Sequence, residues 1–67
     1  MNNNLREWIF ADLIDGQKVT LFRKQILYIF DALDKSSCTV YINGGQILVF
    51  KGIGENLMNR FKISQTQ

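Results

Sequence analysis

Two short runs of this sequence are apolar at every position, and they limit the folds open to the chain. The runs are residues 26–30 (Ile-Leu-Tyr-Ile-Phe) and residues 47–50 (Ile-Leu-Val-Phe). A half-buried antiparallel strand alternates apolar with polar side chains, whereas these runs, as strands, present apolar side chains on both faces of a sheet. Other parts of the chain, or another molecule, must therefore cover both faces of the sheet that contains these strands.

Glycine-containing turns divide most of the chain into strands. Asp15-Gly16 and Asn43-Gly44-Gly45 each lie between two apolar runs. This pattern is typical of β-hairpins, because glycine adopts a positive φ without a Cβ clash. The strands predicted beside these two turns span residues 8–14, 18–22, 38–42 and 46–51.

The segment at residues 25–33 is open to two interpretations. Its large apolar residues are typical of a buried strand, which would be the fifth in the sheet. The same segment also matches the stripe of an amphipathic helix, through Ile26, Ile29, Phe30 and Leu33. Periodicity alone does not separate strand from helix in so short a run.

The end of the chain changes from a strand period to a helical one. The apolar residues that follow Gly52 fall on one face of a helix; they are Ile53, Leu57, Met58 and Phe61. Gly54 is an acceptable N-cap, and Glu55 lies where the helix dipole favours an anion. The pattern predicts a short helix over about residues 55–63. A helix of this length is not stable alone and must dock on the sheet.

These patterns together predict an α+β fold, with a small antiparallel β-sheet of about four to five strands, two hairpins and one short C-terminal helix. The 67 residues allow one domain, residues 1–67, in which residues 1–5 and 64–67 are expected to fray. A chain of this size buries only ~60% of the surface that its unfolded form exposes, so it needs unusually good packing or self-association.

One short helix covers only one face of a sheet, so a second apolar face needs a cover of its own. Either the amino-terminal segment around Trp8 and Phe10 folds over that face, or a second copy or a different protein buries it. The candidate interaction face consists of Trp8, Phe10, Ile26, Tyr28 and Phe30.

The residues offer little for catalysis or metal binding. The chain has no histidine, the side chain that most often moves protons near neutral pH. Cys38 is the only cysteine, and its place at the start of an apolar strand favours a buried, inert thiol. The acidic residues are spread over turns and strand ends. We therefore expect no catalytic residue, no cofactor, no metal site and no enzymatic activity.

The charges are close to balanced, with eight basic and six acidic residues and a net charge of +2. The basic residues are scattered, and only Arg23 and Lys24 are adjacent. Non-specific nucleic-acid binders carry a denser basic footprint. Nucleic acid is therefore the alternative partner, bound through Arg23, Lys24 and Lys35 if their loops share one end of the sheet, with Arg60 and Lys62 as further candidates.

The expected compartment is the cytoplasm. The first residues are polar and lack the pattern of a secretion signal, and a lone cysteine suits a reducing environment. No apolar run approaches the ~20 residues that a membrane span needs, so we expect none.

The order of several motifs resembles that of the small FlbD/SwrD flagellar and swarming-motility proteins. The motifs are residues 13–19 (Leu-Ile-Asp-Gly-Gln-Lys-Val), 26–29 (Ile-Leu-Tyr-Ile), 39–49 (Thr-Val-Tyr-Ile-Asn-Gly-Gly-Gln-Ile-Leu-Val) and 55–57 (Glu-Asn-Leu). This resemblance implies a small sheet fold and an adapter-like, non-enzymatic role, and it assigns no functional residues. The expected origin is bacterial or phage, because small proteins encoded by phages share these features. The order of strand, hairpin and helix is also similar to the LytTR DNA-binding domain, which implies a nucleic-acid-binding regulator.

Two functional hypotheses follow. The first is a small protein-interaction and regulatory module that self-associates, as a dimer, through an apolar sheet face or binds another protein there. The second is a nucleic-acid-binding regulator that uses the loop arginine and lysine residues.

Overall fold

A computed structural model describes residues 4–63 of the chain. The first two strands, β1 (Trp8–Asp12) and β2 (Lys18–Phe22), form an antiparallel hairpin with Trp8 opposite Phe22. Gly16 has a φ of 95° in the connecting loop, and the Asp15 carboxylate accepts a hydrogen bond from the Gln17 N–H at 3.0 Å. The Asp-Gly turn thus closes the predicted first hairpin.

A second sheet contains the other three strands, β3 (Ile26–Asp31), β4 (Ser37–Ile42) and β5 (Ile47–Lys51), with β4 in the centre. Both pairings are antiparallel. Between β4 and β5, Gly44 and Gly45 have φ values of 103° and 96°, which side chains with a Cβ rarely adopt. This turn confirms the predicted second hairpin.

The segment that the sequence left open is a strand, so its helical interpretation is wrong. A short 3-10 turn (Arg23–Gln25) leads directly into β3, which pairs with β4 along its length. The loop after β3 is held by a hydrogen bond from the Ala32 N–H to the Ser37 carbonyl at 2.9 Å. Pairing with β4 decides between the two patterns, because it supplies partners for the backbone N–H and C=O groups of the segment while Ile26 and Ile29 pack against the core.

The helix, α1 (Gly54–Asn59), is shorter than predicted, and a turn through Phe61 follows it. Its N-cap is Ile53, not Gly54, and Ile53 supplies no side-chain hydrogen bond. The missing cap comes from β3, where the Asp31 carboxylate accepts a hydrogen bond from the Gly54 N–H at 2.7 Å. A strand residue thus stabilises the beginning of the helix.

The hairpin and the helix pack on the inner face of the three-stranded sheet and share one core with it. The buried core residues are Ile9, Ala11, Leu21, Cys38, Val40, Ile42, Phe50, Leu57 and Phe61. The two sheets also meet at an edge, where the Ile14 N–H donates to the Val49 carbonyl at 2.8 Å. The predicted α+β class, with five antiparallel strands and one short C-terminal helix, is confirmed.

The terminal residues that the structure describes are tied to each other. Leu5 forms an isolated bridge with Lys62, and the Asn4 carbonyl accepts a hydrogen bond from the Ile63 N–H at 3.3 Å. Asn4 and Leu5, which we expected to fray, are therefore paired. The rest of that expectation, residues 1–3 and 64–67, lies outside the described residues. Within residues 4–63, no helix is long and apolar enough to cross a membrane.

Candidate interaction surfaces

The outer face of the three-stranded sheet carries exposed aromatic rings. Tyr28 is opposite Tyr41 and Phe30 is opposite Thr39, so these residues share the face turned away from the core. Tyr28 is 62% exposed and Phe30 is 56% exposed, although both are large and apolar. We call this surface the aromatic sheet face; its members are Tyr28, Phe30, Thr39, Tyr41, Ile47 and Val49.

The three rings of this face lie against one another. The ring centroids of Phe30 and Tyr41 are 5.6 Å apart at an interplanar angle of 89°, the edge-to-face geometry that aromatic pairs prefer. Tyr28 lies 6.2 Å from Phe30 and 6.3 Å from Tyr41. The rings therefore form one cluster on the outer face of the sheet.

A β-bulge decides which side chains of β3 reach this face. Ile26 is opposite Ile42 and Tyr28 is opposite Tyr41, so Leu27 is an extra residue between two successive pairs. Without the bulge, strict alternation would place Ile26 on the same face as Tyr28. With it, Ile26 turns inward and packs against the core.

The aromatic sheet face is almost free of charge. Among the strand residues of this sheet, Lys51, opposite Ser37, is the only charged one whose register places it there. Asp31, the acidic residue of β3, is opposite the buried Cys38 on the inner side. Within the strands of the sheet, the face thus carries no charged residue other than Lys51 that would select an oppositely charged partner.

The exposed area is large for so small a chain. Ile47 is 54% exposed, and Ile14, beside Val49 at the rim, is 48% exposed. Together with the three rings these side chains expose roughly 500 Å². The largest apolar patch on a typical monomer is about 300–600 Å² and is often functional.

The hairpin β1–β2 has a second exposed aromatic surface on its own outer side. Trp8 is opposite Phe22 and Phe10 is opposite Thr20, and we call these four residues the hairpin face. Phe10 is 67% exposed, and its ring centroid lies 4.9 Å from that of Trp8. The inner side of the same hairpin contributes Ile9, which is buried.

Arginines border the hairpin face, in contrast to the aromatic sheet face. The Arg60 guanidinium donates to the Phe10 carbonyl, and the Arg23 Nε donates to the Arg6 carbonyl at 3.3 Å. The backbone N–H of Arg6 donates to the Phe61 carbonyl at 2.6 Å, which fixes the chain just before Trp8. We call Arg6, Arg23 and Arg60 the arginine border.

The structure divides the predicted interaction residues among three places. Trp8 and Phe10 lie on the hairpin face, Tyr28 and Phe30 lie on the aromatic sheet face, and Ile26 packs inward. The amino-terminal segment does pack over the sheet, but it does so on the inner side. The idea that Trp8 and Phe10 cover the second face is therefore wrong, because alternation along β1 turns both away from the core.

The predicted nucleic-acid residues are not brought together. Arg23 and Lys24 precede β3 and Lys35 follows it, so the six residues of that strand, roughly 20 Å, separate them. Lys35 lies in a tight loop with a φ of 62°, beside Asp34. Hydrogen bonds from the hydroxyl and then the backbone N–H of Ser36 lower the pKa of the Asp34 carboxyl.

Sequence reasoning missed Tyr41, Phe22 and Arg6, and it named Arg60 without placing it beside Phe10. Tyr41 and Phe22 join the two faces only through cross-strand register, which a single strand does not reveal. The predicted Asp15-Gly16 turn could in principle have given this register, because it closes the hairpin in which Phe22 is opposite Trp8. Arg60 approaches Phe10 through the tertiary fold alone, and no local pattern indicates it.

The described residues offer no metal centre, and their one thiol is buried. No group of three or more His, Cys, Asp or Glu in residues 4–63 is placed to hold a metal ion. Burial raises the pKa of the Cys38 thiol, and the nearby charge of Asp31 raises it further. Cys38 is therefore protonated and shielded near neutral pH, and the notable chemistry lies on the two aromatic surfaces.

Comparison with known proteins gives no matching family model, no matching curated protein and no matching solved structure. The resemblance to FlbD/SwrD proteins and to LytTR domains stays a prediction. The functional assignment accordingly rests on the geometry of the aromatic sheet face and the hairpin face.

Proposed function

We propose that this protein is a non-enzymatic interaction and regulatory module that self-associates through the aromatic sheet face. The observation that carries the proposal is the cluster of Tyr28, Phe30 and Tyr41, whose rings touch one another yet remain exposed. A patch of roughly 500 Å² is in the upper part of the range for the largest apolar patch of a monomer, and such patches are often functional. Covering it removes apolar area from water and is favourable.

A second copy of the chain is the occupant that this face fits best. In a two-fold dimer both copies use the same patch, so a patch with a large net charge would repel its copy. The aromatic sheet face avoids that repulsion because Lys51, at its margin, is the only charged strand residue on it. A charged partner, by contrast, would gain nothing from a neutral face.

The area is consistent with a weak and reversible dimer. Two copies that each bury roughly 500 Å² make an interface of about 1,000 Å², near the lower limit for a specific contact. The two sheets would stack face to face at about 10 Å, with the aromatic rings interdigitated. We expect a dissociation constant in the micromolar range, which suits a regulated assembly.

Dimerisation through this face leaves the hairpin face free. The two surfaces belong to different sheets whose inner sides share one core, so one binding event does not block the other. A dimer would therefore present two hairpin faces to other molecules. This arrangement agrees with the adapter-like role that the FlbD/SwrD resemblance implies.

The test is the mass of the protein in solution, measured by size exclusion with light scattering from submillimolar to submicromolar concentration. We expect the mass of two chains at high concentration, falling towards that of one chain, 7.8 kDa, on dilution. A mass of one chain across the whole range would refute self-association, and with it the proposed role of this face.

A further inference from the structure

We propose that the hairpin face binds single-stranded nucleic acid, with bases stacked on Trp8 and its neighbouring rings and phosphates bound by the arginine border. This inference does not depend on self-association, because it uses the other sheet and different residues. It keeps Arg23 from the residues suggested by the sequence and replaces Lys24 and Lys35 with a surface that the fold assembles.

The rings on this face are placed for stacking. Trp8, Phe10 and Phe22 are 45%, 67% and 49% exposed, so each offers part of its ring to a ligand. Trp8 and Phe10 meet edge to face at an interplanar angle of 63°, which leaves ring surface unstacked. Bases bind such platforms with little sequence preference, since every base has a π-face.

A nucleic-acid site also needs positive charge for the phosphates, and arginines beside the rings supply it. A groove of about 480 Å³ runs beside the rings and is lined by Arg6, Glu7, Trp8, Ile9, Phe10 and Arg60. Lys62, which pairs with Leu5, adds a further cation nearby. Glu7 is the one acidic residue of the groove lining, so the groove is net positive and complements a phosphate backbone.

The same charges argue against a second copy as the occupant of the hairpin face. Two hairpin faces in contact would bring two sets of arginines together, and like charges facing each other are unfavourable. A duplex is also a poor fit, because its bases are stacked on each other and hidden from side-chain rings. An unpaired strand offers both phosphates and free base faces.

Trp8 is the only tryptophan, so its fluorescence reports on the proposed site directly. The full chain would be titrated with an oligothymidylate of about 12 nucleotides, within the range that small single-strand sites cover. We expect quenching of Trp8 as bases stack on it. The affinity should fall with salt at a log–log slope of about −2, since three arginines would release about that number of counterions.

Matched variants locate the site. Phe10→Ala removes a stacking ring while keeping the fluorescent residue, and we expect the affinity to fall about tenfold. Arg6→Gln and Arg23→Gln should each weaken binding severalfold and flatten the salt slope by about 0.7. Tyr28→Ala and Lys35→Gln are the controls, because they remove a ring and a positive charge from parts of the protein outside the hairpin face. Both variants should bind the oligonucleotide as tightly as the unchanged protein.

Three outcomes would overturn the proposal. The first is the absence of quenching at low salt. The second is an equal loss of affinity in Lys35→Gln and Arg23→Gln, which would indicate non-specific attraction. The third is unchanged affinity in Phe10→Ala, which would show that bases do not stack on the ring of Phe10. Vesicles with anionic headgroups serve as a parallel probe, and quenching by vesicles without quenching by the oligonucleotide would identify a membrane surface instead.

Discussion

Gly54 occupies a position where a methyl group does not fit. A Cβ built there would lie 2.5 Å from the Ile29 Cγ2 atom and 3.3 Å from the Asp31 Oδ1 atom. Elsewhere in a helix, replacing glycine with alanine raises stability by up to about 1 kcal/mol. We expect Gly54→Ala to lower the free energy of unfolding by about 1–3 kcal/mol instead, because β3 and α1 must move apart.

Urea denaturation measures this effect, and a double variant tests its cause. Ile29→Ala removes the clashing methyl group, so Gly54→Ala should be less harmful in that background than in the unchanged protein. Gly54→Ala with undiminished stability would show that α1 does not approach β3 as closely as described here.

The Cys38 thiol links stability to alkaline pH. Burial, followed by the charge of Asp31, raises the pKa of the folded thiol above that of the unfolded chain. This contribution to stability is complete below the pKa of an unfolded cysteine, about 8.5. It is lost as the pH rises from there through the folded pKa, because the unfolded chain releases its proton first.

We therefore expect the unchanged protein to lose more stability between neutral pH and pH ~10 than Cys38→Ala does. Urea unfolding at several pH values gives the comparison, and the variant serves as the control for lysine and tyrosine titration. Parallel pH profiles for the two proteins would mean that the thiol is not held protonated by the fold.

At the scale of the elements, the bulge in β3 sets which side chains the sheet displays. Leu27 is the extra residue and is 55% exposed, so its deletion should leave Ile26 facing inward and Tyr28 facing outward. We expect the deleted chain to fold, with a free energy of unfolding within ~1–2 kcal/mol of the original. Circular dichroism during thermal unfolding measures this.

Deletion of Ile29 is the matched control. It removes one residue from a regularly paired part of β3, so every side chain beyond it changes face or loses its partner. This variant should not fold. Equal damage from the two deletions would argue against the register described for β3.

The elements were predictable where the deciding interaction is local. Asp15-Gly16 and Asn43-Gly44-Gly45 indicated their hairpins, since positive φ is a property of the residue itself. The sequence could not predict that the Ile26 side chain lies on the inner side of the sheet, because the bulge at Leu27 depends on pairing with β4. The cap of α1 was not predictable either, since Asp31 is 23 residues before Gly54.

At the scale of the whole molecule, two outer faces with similar rings differ in their charged surroundings. The two apolar runs, residues 26–30 and 47–50, form strands of the sheet whose outer face carries the exposed rings of Tyr28 and Phe30. The sequence predicted one sheet with an apolar second face. It could not separate that sheet from the hairpin, because both contain exposed aromatics. Only the fold shows that the arginines gather beside Trp8 and not beside Phe30.

One measurement tests the central claim most directly, namely the solution mass of Phe30→Glu compared with that of Phe10→Glu at high protein concentration. Both variants place the same carboxylate on an exposed phenylalanine position, so they match in charge and chemistry. Light scattering should give one chain for Phe30→Glu, because the dimer would bury an unpaired carboxylate from each chain in an apolar interface, and two chains for Phe10→Glu. The reverse result, or the same mass for both, would contradict self-association through the aromatic sheet face.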